Sequence, residues 1–264
     1  MSAGASSLSN VLPGYFYEQE GSTFTPTKVC RGPWDKRWQS GVSLAGLVAH
    51  AAEQFPTPVP MFVARLSIDI LRPTPMEPAE VVITPLREGK RLQLLEIELR
   101  HQDTVTVRAS ALRIREGESP PTVPARHALP PDNLPAMTRD ALFNHICETR
   151  MESGGLHDLG DGVVWTRFFG EFVPGVPISP FVQLAMAADF GSGLSCHVDW
   201  REWSFANVDI SLHLTRMPRG EWLRLAAHTD SAGNGTAVVD SCLSDADGDF
   251  GHAHQTLFLD RRSK

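Results

Sequence analysis

The chain has 264 residues, 42% apolar and 21% charged, with a net charge of −7 and a pI near 5.8. That length allows one large domain or two ordinary ones with a well-buried core, and the mildly acidic balance concentrates no basic surface for nucleic acid. The densest basic cluster, Arg108 to Arg115, alternates with Ala, Leu and Ile, as the wet face of a strand would.

Short strands are expected near Tyr15 to Glu20 and Thr23 to Lys28. The run "GVSLA" at 41–45 lacks only the final glycine of a nucleophile elbow. An elbow serine follows a buried strand, however, and "CRGPWDKRWQS" carries Pro, Gly and three basic residues instead. Leu44, Leu47, Val48 and Ala51 recur at helical spacing, so Ser43 belongs to the first turn of a helix and not to a hydrolase elbow. Gly41 and Val42 would present free N–H groups at that helix start, a setting that suits partial negative charge.

Four alternating runs follow: "MFVARLSIDIL", "AEVVITPLRE", "KRLQLLEIELR" and "TVTVRASALRIR". The proline-rich stretch 119–135 then reads as a spacer, because proline lacks an amide donor and fixes its φ angle. Beyond it the order repeats. "FNHICETRM" and "VVWTRFFGEF" precede a helix in "SPFVQLAMAADF", and the runs "SFANVDISLHL", "WLRLAAHTD", "GTAVVDSCL" and "GHAHQTLFL" complete the half. The offset of about 140 residues is too long for a solenoid repeat and marks a duplicated domain. Short links force antiparallel neighbours, and the single long helix of each half is the only cover for its sheet. The expected architecture is α+β: an N-terminal domain over 1–118, a linker over 119–135 and a C-terminal domain over 136–264, each an antiparallel sheet wrapped around a central helix.

The order "GPWDKRWQSGVSLAGLVAHAAE", "ARLSIDILRPTPMEPAEVVITPLREGKRLQLLEIELR", "VQLAMAADFGSGLS" and "WSFANVDISLHLTRMPRGEWLRLAAHT" resembles the acyl-CoA thioesterase II type, a double hot-dog family, in its actinobacterial thioesterase-like branch. The resemblance implies hydrolysis of acyl-CoA to a free acid and CoA. It also implies a water held by an Asp, a Ser or Thr, and a Gln of the C-terminal half. Carried over, these fall on Asp209, on Thr229 (with Ser231 as the alternative) in "HTDS", and on Gln255; apart from the family, the helix-start amides of Gly41 and Val42 are expected to face the substrate oxygen. Ile210 and Leu212 follow Asp209 where the family commonly has His and an aromatic, and Ser40 and Gly41 stand where it has paired glycines.

That chemistry is coherent without the family. A thioester carbonyl is already electrophilic, so its hydrolysis needs a base, an oriented water and donors for the oxyanion. Matching the halves sets Arg65 opposite Asp209 and Ser110 opposite Gln255, which predicts one active site per chain. Asp189, late in the second helix, reads as a carboxylate that bonds the "GSG" turn. "DADGDFGHAHQT" imitates a calcium loop but misplaces its glycine and lacks the closing Glu, so it reads as a hairpin turn. No metal or cofactor is expected, since His252 and His254 share a strand face without an evident third ligand.

Alternatives are a non-catalytic acyl-CoA-binding protein and a hot-dog hydratase or dehydratase, whose Asp and His pattern neither helix carries. Four scattered cysteines, an N-terminus without a basic and apolar leader, and no apolar run of roughly 18 residues lead to the expectation of a cytoplasmic protein away from membranes. Exposed sheet edges and helices suggest a homo-oligomer.

Overall fold

The computed structural model describes residues 14–33, 35–121, 126–137, 141–156 and 158–262. In the N-terminal half, β1 (Tyr17–Glu20) and β2 (Thr23–Pro26) lead to α1 (Gly41–Gln54), followed by β3 (Met61–Ile70), β4 (Ala79–Glu88), β5 (Leu92–His101) and β6 (Thr104–Arg115). The second half runs through α2 (Ala141–Ile146), β7 (Cys147–Ser153), β8 (Gly162–Phe168), β9 (Glu171–Val173), β10 (Val176–Pro177), α3 (Pro180–Ala188) and α4 (Gly191–Leu194). It closes with β11 (Trp203–Asn207), β12 (Asp209–Leu214), β13 (Leu223–Ser231), β14 (Thr236–Asp245) and β15 (Gly248–Arg261).

One antiparallel sheet carries both halves in the order β1-β2-β4-β5-β6-β3-β12-β15-β14-β13-β8-β7, with β11 also on β15. The two halves meet where β3 pairs with β12, Leu66 opposite Leu212 and Ser67 opposite Ser211. This is the expected double hot-dog fold, each half a sheet curled around a central helix. The run "SFANVDISLHL" departs from a simple strand. It breaks at Val208, so that Asn207 pairs with Leu257 while Ser211 pairs with His254, a one-residue slip in register.

Ser40 caps α1 by accepting from Ser43 N–H at 3.2 Å, and Ser179 caps α3 by accepting from Val182 N–H at 3.1 Å. Every residue from Val42 to Ala52 is buried, because the sheet covers one side of α1 and α3 packs on another. Gly46 permits that approach: a Cβ there would lie 2.8 Å from both Met186 Cγ and Phe172 Cε2. Burial of each Leu, Val or Phe along this helix pair is worth about 1.5–3 kcal/mol, which outweighs the modest helix propensity of Gly and Val.

Ser43 is wholly buried, and its hydroxyl donates back to the carbonyls of Cys30 at 3.1 Å and Ser40 at 2.9 Å, so it braces the helix start. The four cysteines form no disulfide, and burial pushes the Cys30 thiol up to about 12. The segment "DADGD" forms a hairpin between β14 and β15, with Gly248 at φ 117°. Among the described residues no helix is long and apolar enough to cross a membrane.

Candidate active site

The end of α3 and the start of α1 come from opposite halves and meet where the two helices pack together. Asp189, the C-cap of α3, turns its carboxylate away from the Gly191–Gly193 turn and toward the other helix, which corrects the expectation that it bonds that turn. Its Oδ1 accepts from Asn207 Nδ2 at 2.7 Å, and Val42 N–H donates to the same carboxylate. A Cβ on Gly41 would lie 2.7 Å from Asp189 Cγ and 2.9 Å from Oδ2, so glycine there is what lets the carboxylate reach the helix start.

Loss of solvent around Asp189 raises its pKa from 3.8 to about 6, against the opposing pull of the Asn207 amide and the Val42 N–H. Asn207 keeps its Oδ1 buried without a donor. Gln255, 1% exposed, donates from Nε2 to the Asp189 carbonyl at 3.3 Å, and its Oε1 is likewise buried without a donor. The residue that brings Gln255 close is Gly191, where a Cβ would fall 2.7 Å from Gln255 Oε1. Three polar side chains, a carboxylate and two amides, thus gather around Asp189, whose carboxylate meets the first turn of a 14-residue helix.

The residues expected from sequence are distributed differently. Gln255 is in this group. Asp209 lies beyond the slip at Val208, where Ile210 and Leu212 take the inward face, and its carboxylate accepts from the backbone N–H of Thr256. It stands opposite Asp69 in the sheet, on the face away from Gln255. Thr229 bonds the Ser195 hydroxyl at 2.6 Å, and Ser195 in turn donates to the Gly191 carbonyl at 2.9 Å, so Thr229 supports the turn beneath Gln255. Ser231 donates to the Thr236 carbonyl in the β13–β14 hairpin. Gly41 lies against Asp189, and Val42 spends its N–H on that carboxylate.

Sequence reasoning does not single out Asn207, and it reads Asp189 as a support of the turn and not as a member of this group. Two polar residues in apolar surroundings, Asn207 in "SFANVDI" and Asp189 in "LAMAADF", were the available signal.

Among the described residues the other half carries no counterpart of this group. Ten residues past the caps Ser40 and Ser179 stand His50 and Asp189. The bulge between Val63 and Arg65 matches the break at Val208, so Val63 answers Asn207 and Arg65 answers Asp209, as sequence matching predicts. Three residues past Val63, Leu66 pairs with Ala111, whereas the strand after Asn207 runs beside Gln255; Ala111, and not Ser110, is therefore the counterpart of Gln255. His50 is buried between Phe24 and Phe172, and burial lowers its pKa, so it is neutral packing.

Comparison with known proteins agrees with this duplication. A sequence profile described as the acyl-CoA thioesterase N-terminal domain matches residues 30–114, and one described as the acyl-CoA thioesterase C-terminal domain matches residues 118–259. No curated protein sequence matches the chain. A hot-dog protein of unknown function from Alicyclobacillus acidocaldarius is similar at 15% identity and a TM-score of 0.73, over 94% of this chain and 96% of that one. An acyl-CoA thioesterase II from Mycobacterium marinum is similar at 17% identity and a TM-score of 0.70, over 95% and 96%. The tesB protein of Mycobacterium avium subs paratuberculosis is similar at 16% identity and a TM-score of 0.68, over 92% and 96%. These likenesses bear on the fold, and the two profiles, which between them span both halves, decide the family: the chain belongs to the acyl-CoA thioesterase family of double hot-dog proteins.

Proposed function

We propose that the protein is an acyl-CoA thioesterase that hydrolyses its substrate by direct attack of a water on the thioester carbonyl, with Asp189 as the base. One observation carries this reading: a carboxylate of raised pKa is held by an amide beside a helix start, with two buried amide oxygens, Asn207 Oδ1 and Gln255 Oε1, that lack a donor. Buried acceptors without donors are uncommon and call for an explanation. A water that gives one hydrogen to Asp189 and the other to one of these two amide oxygens would be held in place and would satisfy one of the two acceptors.

Asp189 takes the proton as the water oxygen bonds to the carbonyl carbon. Charge then develops on the carbonyl oxygen, where the start of α1 offers the Gly41 N–H and the positive end of its dipole. Collapse breaks the carbon–sulfur bond, and the protonated Asp189 returns its proton to the departing sulfur. No covalent enzyme intermediate and no cofactor enter this sequence. The pKa near 6 suits the role, since the base is mostly ionised at neutral pH yet still binds a proton well. In this reading Asn207 and Gln255 orient, Val42 holds the carboxylate, and Thr229 steadies the Gly191 turn; Asp209 is a strand carboxylate outside the reaction.

The test is thiol release from short, medium and long acyl-CoAs by the wild type, Asp189→Asn and Asp209→Asn. Release that collapses only in Asp189→Asn supports the proposal. Release that collapses only in Asp209→Asn returns the mechanism to the residue expected from sequence. Binding of acyl-CoA without release by the wild type would make the protein a non-catalytic acyl-CoA binder.

A further inference from the structure

At the other end of the helix pair, roughly 18 Å from Gly41 by the rise of α1, lies a cavity of about 460 Å³. Its apolar wall comes from Met61, Phe62, Val63, Phe181 and Met217, and Arg113 supplies a guanidinium. This is the place in the N-terminal half that corresponds to the candidate site. Phe181 is the second residue past its cap, as Val42 is, and Val63 answers Asn207. The catalytic groups are gone, but the space between the helix end and the sheet persists.

Arg113 is the anomaly there. It is 3% exposed, and its Nη1 donates to two neutral acceptors, the Phe55 carbonyl and Gln93 Oε1, both at 2.8 Å. Among the described residues no carboxylate lies within ion-pair distance of it. A buried charge without a counter-ion is unfavourable, and an anion brought to it recovers much of that cost. The two carboxylates at the rim do not fill this role. Glu53, whose carboxylate accepts from the Ser179 hydroxyl at 2.6 Å, attracts Arg113 from beyond ion-pair distance and offsets only part of the cost of its burial, and Glu116 is exposed, where water and salt screen it.

We infer that this cavity is a second binding site for an aliphatic carboxylate, with the carboxyl group paired to Arg113 and the chain laid against Phe181, Met217, Met61, Phe62 and Val63. A guanidinium with free edges matches a carboxylate in two-pronged geometry, and a volume of this size suits a ligand of medium length. Free acids are the class that thioester hydrolysis releases, so the site would let product act on the protein away from Asp189. Binding itself does not depend on the thioesterase reading, and the test below reads no turnover.

The experiment is calorimetric titration of the full chain with octanoate and with octan-1-ol. One octanoate per chain is expected, with octanol at least tenfold weaker. Arg113→Gln should weaken octanoate at least tenfold, and Met217→Trp, which fills the cavity and leaves the guanidinium in place, should do the same. If Arg113→Gln fails to fold, Met217→Trp decides alone. Asp189→Asn should leave this binding unchanged. Equal affinity for acid and alcohol, binding undiminished in Met217→Trp, loss of binding in Asp189→Asn, or no binding at millimolar octanoate would each overturn the inference.

Discussion

Asn207 Nδ2 donates to Asp189 Oδ1 at 2.7 Å, a bond that ties the first strand after the second helix to the end of that helix. The carboxylate so held faces the start of a helix from the opposite half. Replacement of Asp189 by Asn should lower turnover by about 10²–10⁴-fold, the usual worth of a positioned base. Asp209→Asn should leave turnover within a few fold, since its carboxylate serves the Thr256 N–H. Steady-state thiol release on both variants separates the two.

The pH profile carries a sign. Asp189 must be ionised to take a proton, so kcat/KM should rise with pH through about 6 and then level. Asn207→Leu removes a donor that favours the ionised form and should move that limb to higher pH.

The same shift affects stability. The folded pKa lies above the ordinary value of 3.8, so the native state keeps a proton that the unfolded chain has lost. The contribution of Asp189 is therefore fully present below about pH 4 and is lost as pH rises through about 6. Asp189→Asn should gain in Tm relative to wild type across that window, and thermal melts at several pH values would show it. A Tm difference that stays flat with pH would contradict the raised pKa.

Gly41→Ala sets a methyl group against the Asp189 carboxylate. The chain should still fold, because alanine suits a helix better than glycine, but displacement of the base should cost tenfold or more in kcat. Circular dichroism and thiol release together check the split.

Asp245 is fully buried, and its carboxylate takes a two-pronged bond from Arg216 at 2.6 and 2.8 Å. Asp245→Asn leaves the guanidinium without its counter-ion and should cost about 3–5 kcal/mol of stability. Urea unfolding measures that loss, while octanoate and acyl-CoA binding report whether the native state persists.

Much of the architecture was legible in the sequence because it rests on local periods. The runs at 61–71, 90–100 and 104–115 are mostly alternating, which marks each as a strand with one face toward a core. The caps Ser40 and Ser179 and the apolar stretches after them announce the two helices. The repeated order then implies two like halves, and Gln255, named through the family resemblance, lies on a strand that runs without interruption.

What the tertiary structure alone decided is which polar side chains share a space. A strand's side chains change face at every residue, so an unbroken strand would set Asn207 and Asp209 on one face; the slip at Val208 puts Asn207 inside and Asp209 outside, and no period in "SFANVDISLHL" marks where the slip falls. Asp189 meets Gly41 and Val42 only because the two halves dock through β3 and β12 and lay their helices end to start. Local sequence sets the elements, since propensity and burial period act over a few residues. The site is set by contacts between residues far apart in the chain, and those depend on register and docking.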